Sequence, residues 1–243
     1  MLDSVADQSF GIWEHILVDD GSTDSNVVRT LKEYAAADPR FAVVECDRNH
    51  GISEATNEAL RRARGKYVVL LDHDDALHPD ALLENARVIG AYPEVDLIYS
   101  DEDKTNSDGE FYAPYFKPDW SPVHLLTRMC TGHLSVYRRD LVNTVGGFRP
   151  EFDGTQDYDL ALRVAEKTQE SSIYQRYCII GALEPPALPV ISMPRQEYWK
   201  DKGRRLKIAL SVGVLKEAFT PPTTQAIGGL FPTYPTLLLW SPL

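Results

Sequence analysis

Cysteine is scarce in this sequence, and its scarcity excludes a disulfide-stabilised scaffold. The 243 residues include three cysteines, Cys46, Cys130 and Cys178, which are odd in number and far apart. Small proteins held together by disulfides or structural zinc need more closely spaced cysteines. A chain of this length can bury the core of one α/β domain without such links. The pattern favours reduced thiols in a cytoplasmic protein.

Long apolar runs are missing as well. No stretch approaches the roughly 18 consecutive apolar residues of a membrane-spanning helix. The chain does not begin with the basic and apolar run of a signal peptide. We therefore expect a soluble, cytoplasmic protein, with peripheral contact at the inner face of the plasma membrane left open.

Positive charge is the third scarcity, since 25 basic residues face 36 acidic ones and the net charge is −11. This balance argues against a nucleic-acid partner and predicts that any phosphate is handled through a metal ion. Residues 171–243 hold 8 of the basic residues, 4 of the acidic ones and 9 of the 16 prolines. We therefore predict a domain at 1–170 and an atypical, proline-rich, poorly ordered tail at 171–243.

One apolar stretch that the chain does contain runs directly into acids. Tyr67–Leu71 has the composition of a buried strand, and Asp72, Asp74 and Asp75 follow at once. In extended chain, side chains two apart point the same way, so Asp72 and Asp74 should converge while Asp75 faces elsewhere. Bound Mg²⁺ or Mn²⁺, completed by phosphate oxygens, would relieve the repulsion. For an isolated Asp-x-Asp, a solvated acidic turn is the alternative.

The pattern of an apolar strand that ends in polar residues recurs along the chain. Strands predicted at 13–18, 41–46 and 95–99 also end in polar residues, and predicted helices at 25–37, 52–63 and 79–91 alternate with the strands. Four such βα units predict an α/β fold with a mostly parallel sheet and one active edge, where ligands of open α/β sheets bind. The aromatic, proline-broken stretch 111–120 predicts a loop instead of a central strand.

Several polar residues at this edge have two readings. Asp20 can accept hydrogen bonds from a nucleobase or a ribose, or it can serve the turn, whereas Asp24 is expected to cap the next helix. Arg48 and Asn49 can contact a diphosphate or a sugar, or they can belong to a solvated turn. Trp120 can stack on a sugar or pack in a loop.

The last candidate is Asp157, in a segment that predicts a helix continuing through Leu160. As a structural residue it would cap that helix. As a functional residue it would project from the helix start as a general base. Both readings stay open on the residues alone.

Together, these segments resemble the family 2 glycosyltransferases, which have the Rossmann-like GT-A fold. The resemblance covers about residues 1–170, and parts of it are similar to the subgroup involved in O-antigen and rhamnan surface-polysaccharide synthesis. The matching segments are Ile16–Asp24, Asn49–Gly51 with Ala55–Asn57, Leu71–Asp75, Tyr99–Lys104, Phe116–Trp120, and Gly146–Phe148 through Gln156–Leu160. The combination is far more specific than any single motif.

The resemblance implies an inverting, metal-dependent transfer of a sugar from a UDP- or dTDP-sugar to a saccharide or lipid-linked acceptor. It implies that Asp20 contacts the nucleobase, Asp72 lies near the ribose and helps bind the metal, and Asp74 ligates the metal. Asp157 corresponds to the catalytic base. Of the remaining candidates, Arg48 and Asn49 are expected at the donor, and Trp120 and His133 at the acceptor.

Two departures from the family lead to further expectations. The first central strand of the fold is expected to be missing before residue 1, which would leave backbone groups of the neighbouring strands unpaired. The sequence after Glu170 suggests out-of-register translation or a divergent replacement. The alternative function is therefore a catalytically inactive, truncated remnant that binds nucleotide or partner proteins. Two other enzyme classes fit less well. A nucleotidyltransferase would need a glycine-rich phosphate loop at the first strand, and none is visible here. A phosphatase with an aspartyl nucleophile would carry its acids on the first strand, whereas Asp72 and Asp74 follow a later one.

Overall fold

The structure is a computed structural model that describes residues 1–106, 110–169, 172–176, 180–183 and 208–215, with side chains described only through residue 173. The secondary structure, in chain order, is α1 (Leu2–Ala6), β1 (His15–Asp19), α2 (Ser25–Ala37), β2 (Phe41–Glu45), α3 (Ile52–Arg62), β3 (Tyr67–Leu71), β4 (Asp75–Leu77), α4 (Ala81–Ala91), β5 (Leu97–Ser100), β6 (Glu102–Thr105), β7 (Phe111–Tyr115), α5 (Pro122–Thr127), β8 (Ser135–Arg138), α6 (Arg139–Thr144), a 3₁₀ turn (Pro150–Phe152), α7 (Gln156–Ala165), β9 (Ile173–Arg176), β10 (Ile180–Leu183) and β11 (Ile208–Leu215).

Seven strands form the main sheet, in the order β2-β1-β11-β3-β8-β5-β9. The pairings show that β2, β1, β3, β5 and β9 run in one direction, whereas β11 and β8 run against them. The predicted α/β fold is therefore confirmed, with a mixed sheet in which five of seven strands share one direction while β11 and β8 pair antiparallel with their neighbours. Its same-direction strands end at one edge, which is where the predicted acids lie.

The central strands are buried on both faces, as their continuous apolar sequences predict. In β3, Val68 and Leu70 enter one core, whereas Tyr67, Val69 and Leu71 enter the other. The core with Val68 and Leu70 also contains apolar residues of α3, α6 and α7. The core with Tyr67, Val69 and Leu71 contains apolar residues of α1, α2 and α4. A sheet covered in this way is rigid, so its edge holds polar side chains in fixed positions.

Strand β11 lies where we expected unpaired backbone. It pairs antiparallel with β1 on one side and with β3 on the other, in registers that match Ile16 and Leu70 to Val212. A strand in either direction can satisfy the N–H and C=O groups of two neighbours one strand width away. The expectation that β1 and β3 would lack a partner between them is therefore wrong.

A smaller sheet has the order β4-β10-β6-β7. Sequence reasoning missed β4, β6 and helix α5, and it assigned Phe111–Tyr115 to a loop. That assignment is wrong, because this segment is the edge strand β7. An edge strand tolerates Pro114, whose missing N–H would break the ladder of a central strand.

Much of the predicted tail lies outside the described residues, and so does the boundary at 170–171. The described parts of 171–243 are Ser172 and the strands β9, β10 and β11, and all three strands pair with strands of residues 1–170. The disorder of the remainder stays a prediction. Within the described part of the chain, every helix is too short or too polar to span a bilayer.

Candidate active site

Polar side chains gather at one edge of the main sheet. The same-direction strands β1 and β3 end there in Asp19 and Leu71, and Asp20 and Asp72 follow directly. Strand β8 runs the other way and pairs Ser135 with Leu70, so the residues before β8 lie at this same edge. This topology brings the loop before β8 against the acids that follow β3.

The acids after β3 meet a histidine from that loop. Nε2 of His133 lies 3.4 Å from Oδ2 of Asp72, and its Nδ1 lies 3.5 Å from Oδ2 of Asp75. The Asp75 side chain is 6% exposed, whereas those of Asp72 and His133 are 39% and 34% exposed. One ligand atom from each of the three lies within 4.8 Å of the others. The cluster is thus open to solvent on one side and buried on the other.

Asp75 belongs to this cluster, contrary to the expectation that it faces elsewhere. That expectation extended the alternation of β3 beyond Leu71. Instead the chain turns, because the N–H of Asp75 donates to the carbonyl of Asp72 at 3.1 Å, and β4 begins at Asp75. The turn removes the two-residue periodicity and brings Asp75 to the same imidazole as Asp72.

Asp74 lies on the solvent side of this turn. The Asp74 side chain is 42% exposed, and its Oδ1 atom lies 4.0 Å from Nδ1 of His73. It does not join Asp72, Asp75 and His133 within the 4.8 Å that defines their cluster. Its assignment as a metal ligand stays a prediction.

The charges in the cluster are strongly coupled. Burial raises the pKa of Asp75 against the opposing attraction of His133, and the carboxylates of Asp72 and Asp74 raise it further. Burial lowers the pKa of His133, but the hydrogen bond and charge of Asp72, with the charge of Asp75, outweigh burial and raise it overall. Burial and the neighbouring charges together thus set the pKa of Asp75 and the pKa of His133.

The donor set of the cluster suits a divalent cation. Oδ2 of Asp75 is fully buried and accepts no hydrogen bond from the described residues, although it forms the 3.5 Å ion pair with Nδ1 of His133. A buried carboxylate oxygen without a donor is costly, and a cation is one partner that would satisfy it. Two carboxylates and an imidazole are a chemically reasonable ligand set, so the residues fit a bound cation.

Lys117 fixes the loop that carries His133. Its buried ammonium donates to the carbonyl of Thr131 at 2.7 Å and to that of His133 at 2.5 Å, and it lies 3.0 Å from Oε2 of Glu102. Burial lowers the pKa of Lys117, while Glu102 opposes that shift. The lysine thus sets the position of the imidazole from behind.

Asp20 binds a second loop at the edge. It is 2% exposed, and its two oxygens accept the backbone N–H groups of His50 at 2.8 Å and Gly51 at 3.0 Å. Gly21 lies directly against the backbone of this loop, since a Cβ built at Gly21 would lie 2.7 Å from the carbonyl carbon of Arg48. Its φ of +76° also suits glycine.

These contacts bear on three predicted donor residues. Arg48 and Asn49 lie on the exposed surface of the loop that Asp20 holds. Asp20 therefore has at least a structural role, and contacts of these three residues with a nucleotide stay predictions. A cluster of Asp20, Cys46 and His50 also has metal-ligand spacing, but both Asp20 oxygens already accept hydrogen bonds. Asp24 caps α2 as predicted, through a 2.9 Å bond from Asn26 N.

Asp157 lies in the first turn of α7 and is half-buried. Thr155 occupies the N-cap position, so the reading of Asp157 as the N-cap is wrong. Its Oδ1 accepts the N–H of Tyr158 at 2.8 Å. Burial, with a contribution from the Asp157 charge, raises the pKa of Tyr137 to about 12. Its role as a base stays a prediction.

The segment before Asp157 is held firmly. Asn57 of α3 accepts the N–H of Phe148 at 2.8 Å and donates to the Phe148 carbonyl at 2.7 Å. A Cβ at Gly147 would lie 2.6 Å from the Asn57 amide oxygen. Asp159 pairs with Arg149 and, at 2.6 Å, with Arg163. These contacts link the segment 147–149 to α3 on one side and to α7 on the other.

Trp120 lies near the same helix. It packs against a small core formed by Leu125, Cys130 and Ala161, and its ring centroid is 6.4 Å from that of Tyr99. It is half-buried, with its indole N–H buried and unpartnered among the described residues. The assignments of Trp120 and His133 to an acceptor site stay predictions. The structure brings His133 to Asp72 and Asp75.

Sequence reasoning missed two contributions. Lys117 was part of a recognised segment without a role, and a lysine between prolines and aromatics gives no sign that it is buried. The link between Asp75 and His133 crosses 58 positions of sequence. Only the antiparallel pairing of β8 with β3 could have indicated it, and that pairing is not visible in a single sequence.

Comparison with known proteins adds a family to this geometry. Residues 1–146 match the family described as Glycosyl transferase family 2. The chain is similar to the O-antigen biosynthesis protein RfbC of Myxococcus xanthus, with 42% identity over 69% of the chain and 13% of that protein. It is also similar to the uncharacterized protein y4gI of Sinorhizobium fredii, with 42% identity over 84% of the chain and 23% of that protein. The chain thus spans less than a quarter of the length of either relative.

Solved structures agree on the fold. The Staphylococcus aureus TarS structure with UDP superposes with a TM-score of 0.59 at 22% identity, covering 76% of this chain and 56% of that one. The GalNAc-T7 structure with UDP, GalNAc and Mn²⁺ gives a TM-score of 0.59 at 15% identity, covering 82% and 44%. At such identities the likeness shows a shared GT-A fold and nothing more.

Proposed function

The chain belongs to glycosyl transferase family 2, and on that premise we propose that it transfers a sugar from a nucleotide-diphosphate sugar to a hydroxyl group of an acceptor. The observation that carries this proposal is the edge of the main sheet, where the acidic tips and the loop held by Asp20 lie. The segment before α7 reaches the start of α3 beside this loop, because Ser53 N donates to Asp153 Oδ1 at 3.2 Å. The similarity to an O-antigen biosynthesis protein supports a role in cell-surface polysaccharide synthesis.

The donor would bind at the ends of β1 and β3. Asp20 holds the loop 47–51 by two backbone hydrogen bonds, and that loop presents Arg48 and Asn49 to solvent. Arginine and asparagine can donate hydrogen bonds to diphosphate and sugar oxygens. We propose that Asp20 recognises the base while it keeps the loop in place, and that Asp72 reaches the ribose. UDP and dTDP are the proposed nucleotides, and the UDP bound to TarS and GalNAc-T7 supports the first.

A divalent cation, Mn²⁺ or Mg²⁺, would be held by Asp72 with Asp74, and when bound it neutralises the diphosphate that departs. Asp72 and Asp74 are both partly exposed, so their oxygens are accessible to a cation shared with a diphosphate. The Mn²⁺ in the GalNAc-T7 structure and in a Pyrobaculum calidifontis mannosyltransferase structure supports this choice.

Asp157 is the proposed base. Its carboxylate takes the proton from an acceptor hydroxyl, the hydroxyl oxygen attacks the anomeric carbon, and the bond to the diphosphate breaks with its electron pair. A single displacement of this kind inverts the configuration at that carbon. The ion pairs of Asp159 with Arg149 and Arg163 fix the helix turn, which would hold the base in line.

The acceptor would approach beside α7. Trp120 packs in the core that includes Ala161 of this helix, so a saccharide that reached Trp120 would also lie close to the start of α7. A saccharide or a lipid-linked saccharide is the proposed acceptor. The cytoplasm, including the inner face of the plasma membrane, is the proposed location, and the free thiols of Cys46 and Cys130 are compatible with it.

A screen of nucleoside diphosphates tests the donor site directly. Melting temperatures would be measured with UDP, dTDP and GDP, each with and without Mn²⁺. We expect an upward shift with a uridine or thymidine diphosphate that depends on Mn²⁺, since a ligand that binds only the folded state stabilises it. Absence of a shift with every nucleotide would contradict a working donor site. The alternative function, an inactive remnant, predicts a shift with nucleotide but no sugar transfer.

A further inference from the structure

A second acidic side chain binds the same stretch of backbone as Asp20. Oδ1 of Asp153 accepts the backbone N–H of Ser53 at 3.2 Å, whereas Asp20 accepts the N–H groups of His50 and Gly51. The backbone that joins the loop 47–51 to α3 is therefore held by acids from two distant parts of the chain. One of them follows β1, and the other lies just before α7.

We propose that Asp153 is a positioning residue, which fixes the proposed base Asp157 relative to the loop 47–51 and so aligns the base with a bound donor. Because the loop and the base both belong to the proposed reaction, this role rests on the proposed function. Asp153 acts through the backbone of α3 and touches no reacting atom.

Helix α3 depends on this distant carboxylate in its first turn. Its N-cap residue is Gly51, which makes no side-chain hydrogen bond to the N–H groups that the helix itself leaves unpaired. Asp153, 100 positions later in the sequence, supplies an oxygen to one of them. A carboxylate is favourable there, because the start of a helix carries partial positive charge. The cap of α3 is thus also a link to the segment before α7.

The glycine at this cap admits the carboxylate. A Cβ built at Gly51 would lie 2.5 Å from Oδ2 of Asp153, and the φ of Gly51 is +95°. Any other residue would place a side chain where this oxygen lies. One oxygen of Asp153 therefore bonds to Ser53 while the other packs directly against the end of the loop 47–51.

A second contact continues the connection toward α7. Ser53 is fully buried, and its Oγ donates to the carbonyl of Arg149 at 3.2 Å. Arg149 in turn forms an ion pair with Asp159, which lies on α7 two positions after Asp157. The segment 149–153 is therefore attached to α3 at one end and to α7 at the other, and Asp153 is the attachment nearest to the loop.

Loss of the Asp153 contact should change turnover more than donor affinity. The two hydrogen bonds from Asp20 would still hold the loop 47–51, so the donor should still bind. The segment before α7 would lose one of its two bonds to Ser53, and the base would be less precisely placed. Misplacement of a reacting group by about 1 Å can cost about 10²-fold in rate.

The kinetic test uses UDP-glucose, UDP-galactose, UDP-N-acetylglucosamine and dTDP-rhamnose as donors, each with Mn²⁺ and with water as acceptor, and measures release of the nucleoside diphosphate. Asp153→Ala should lower kcat by about tenfold or more, with little change in the donor KM. Asp153→Asn keeps an oxygen that can accept the N–H of Ser53, so it should restore most of kcat.

Asp24→Ala is the matched control. It also removes an exposed carboxylate that caps a helix, since Asp24 accepts the N–H of Asn26 at the start of α2. It should therefore cost similar stability and keep the wild-type kcat. Circular dichroism would verify that each variant is folded.

Amide hydrogen exchange at Ser53 tests the contact without any turnover. The N–H of Ser53 lies in the first turn of α3, where no carbonyl of the helix can accept it. Its exchange should be slow in the wild type and in Asp153→Asn, and faster in Asp153→Ala. Equal exchange in the wild type and Asp153→Ala would contradict the contact and overturn the proposal.

The proposal is also overturned if Asp153→Ala keeps the kcat of Asp24→Ala, since a purely structural cap would give that result. Failure of the proposed function has a different signature. If the wild type released no nucleoside diphosphate from any donor, the proposed reaction would be contradicted. Faster exchange at Ser53 in Asp153→Ala would then show that Asp153 is a structural cap without a positioning role.

Discussion

The carboxylate of Asp20, at the end of β1, accepts the backbone N–H of Gly51, at the start of α3, over a distance of 3.0 Å. Its other oxygen accepts the N–H of His50. The first strand of the sheet therefore controls the position of the loop that presents Arg48 and Asn49.

Replacing Asp20 by asparagine tests this control. The amide keeps one oxygen, so one of the two backbone N–H groups loses its acceptor, and the free energy of unfolding should fall by about 1–3 kcal/mol. Nucleotide binding should weaken as well, because the loop is less firmly held. Urea unfolding and nucleotide-dependent melting would measure the two effects.

Asp24→Ala is a suitable control for that experiment. It removes the cap of α2 and should cost about 1 kcal/mol of stability. Since Asp24 holds no part of the loop, nucleotide affinity should stay unchanged. Equal stability of wild type and Asp20→Asn would contradict the structural role.

His15 predicts a specific sensitivity to acid. Burial lowers its pKa from 6.5 to about 3, and both ring nitrogens are buried without a partner among the described residues. The unfolded chain takes up a proton below about pH 6.5 that the folded chain refuses, so stability falls as the pH drops from there toward 3. Between pH 7.5 and 5 this residue should remove about 2 kcal/mol from the free energy of unfolding.

The variant His15→Leu isolates this effect. It removes the titrating group and two buried polar atoms, so the variant should gain stability relative to wild type as the pH falls from 7.5 to 5. Urea unfolding at several pH values would give the difference. If the difference in the free energy of unfolding between His15→Leu and wild type stayed constant across that range, His15 would not be a group that takes up a proton only in the unfolded chain.

The position of β11 can be tested with proline. Val212 pairs with Ile16 on one side and Leu70 on the other. Because proline lacks an N–H and does not fit a central strand, Val212→Pro should cost about 3 kcal/mol or more. Val212→Thr keeps the backbone donor and should be much milder. Identical urea unfolding of Val212→Pro and wild type would show that this strand does not pair between β1 and β3.

Loss of the Asp159 carboxylate should lower the stability of the fold more than it lowers the rate of sugar transfer. Burial would raise its pKa, but the hydrogen bonds and charges of Arg149 and Arg163 outweigh burial and lower it. Its stabilising contribution is therefore present above the unfolded pKa of about 3.9 and is lost as the pH falls through the lower folded pKa. At pH 7, Asp159→Asn should reduce the free energy of unfolding by about 1.5–3 kcal/mol. Thermal and urea unfolding would measure it.

The sequence indicated the sheet well and the site only in part. Tyr67–Leu71 and the helices between strands carry strong local patterns, so these elements and the edge with acids could be predicted. At Asp72–Asp75 one backbone hydrogen bond turns the chain, so the alternation of a strand does not continue there. Pro114 made the segment of β7 look like a loop, because proline is unfavourable in a central strand. Contacts such as His133 with Asp75 depend on how distant strands pair, and Lys117 became visible only through its burial. A single sequence carries no such long-range information.

The proposed reaction depends most on Asp157, which lies two positions before Asp159 on the same helix. The most direct measurement compares wild type, Asp157→Asn and Asp159→Asn in sugar transfer from a UDP-sugar with Mn²⁺, at a temperature where all three are folded. Loss of the base should reduce transfer by about 10²–10⁴-fold while the melting temperature changes little, and Asp159→Asn should retain far more activity at lower stability. Equal rates in wild type and Asp157→Asn would contradict the account.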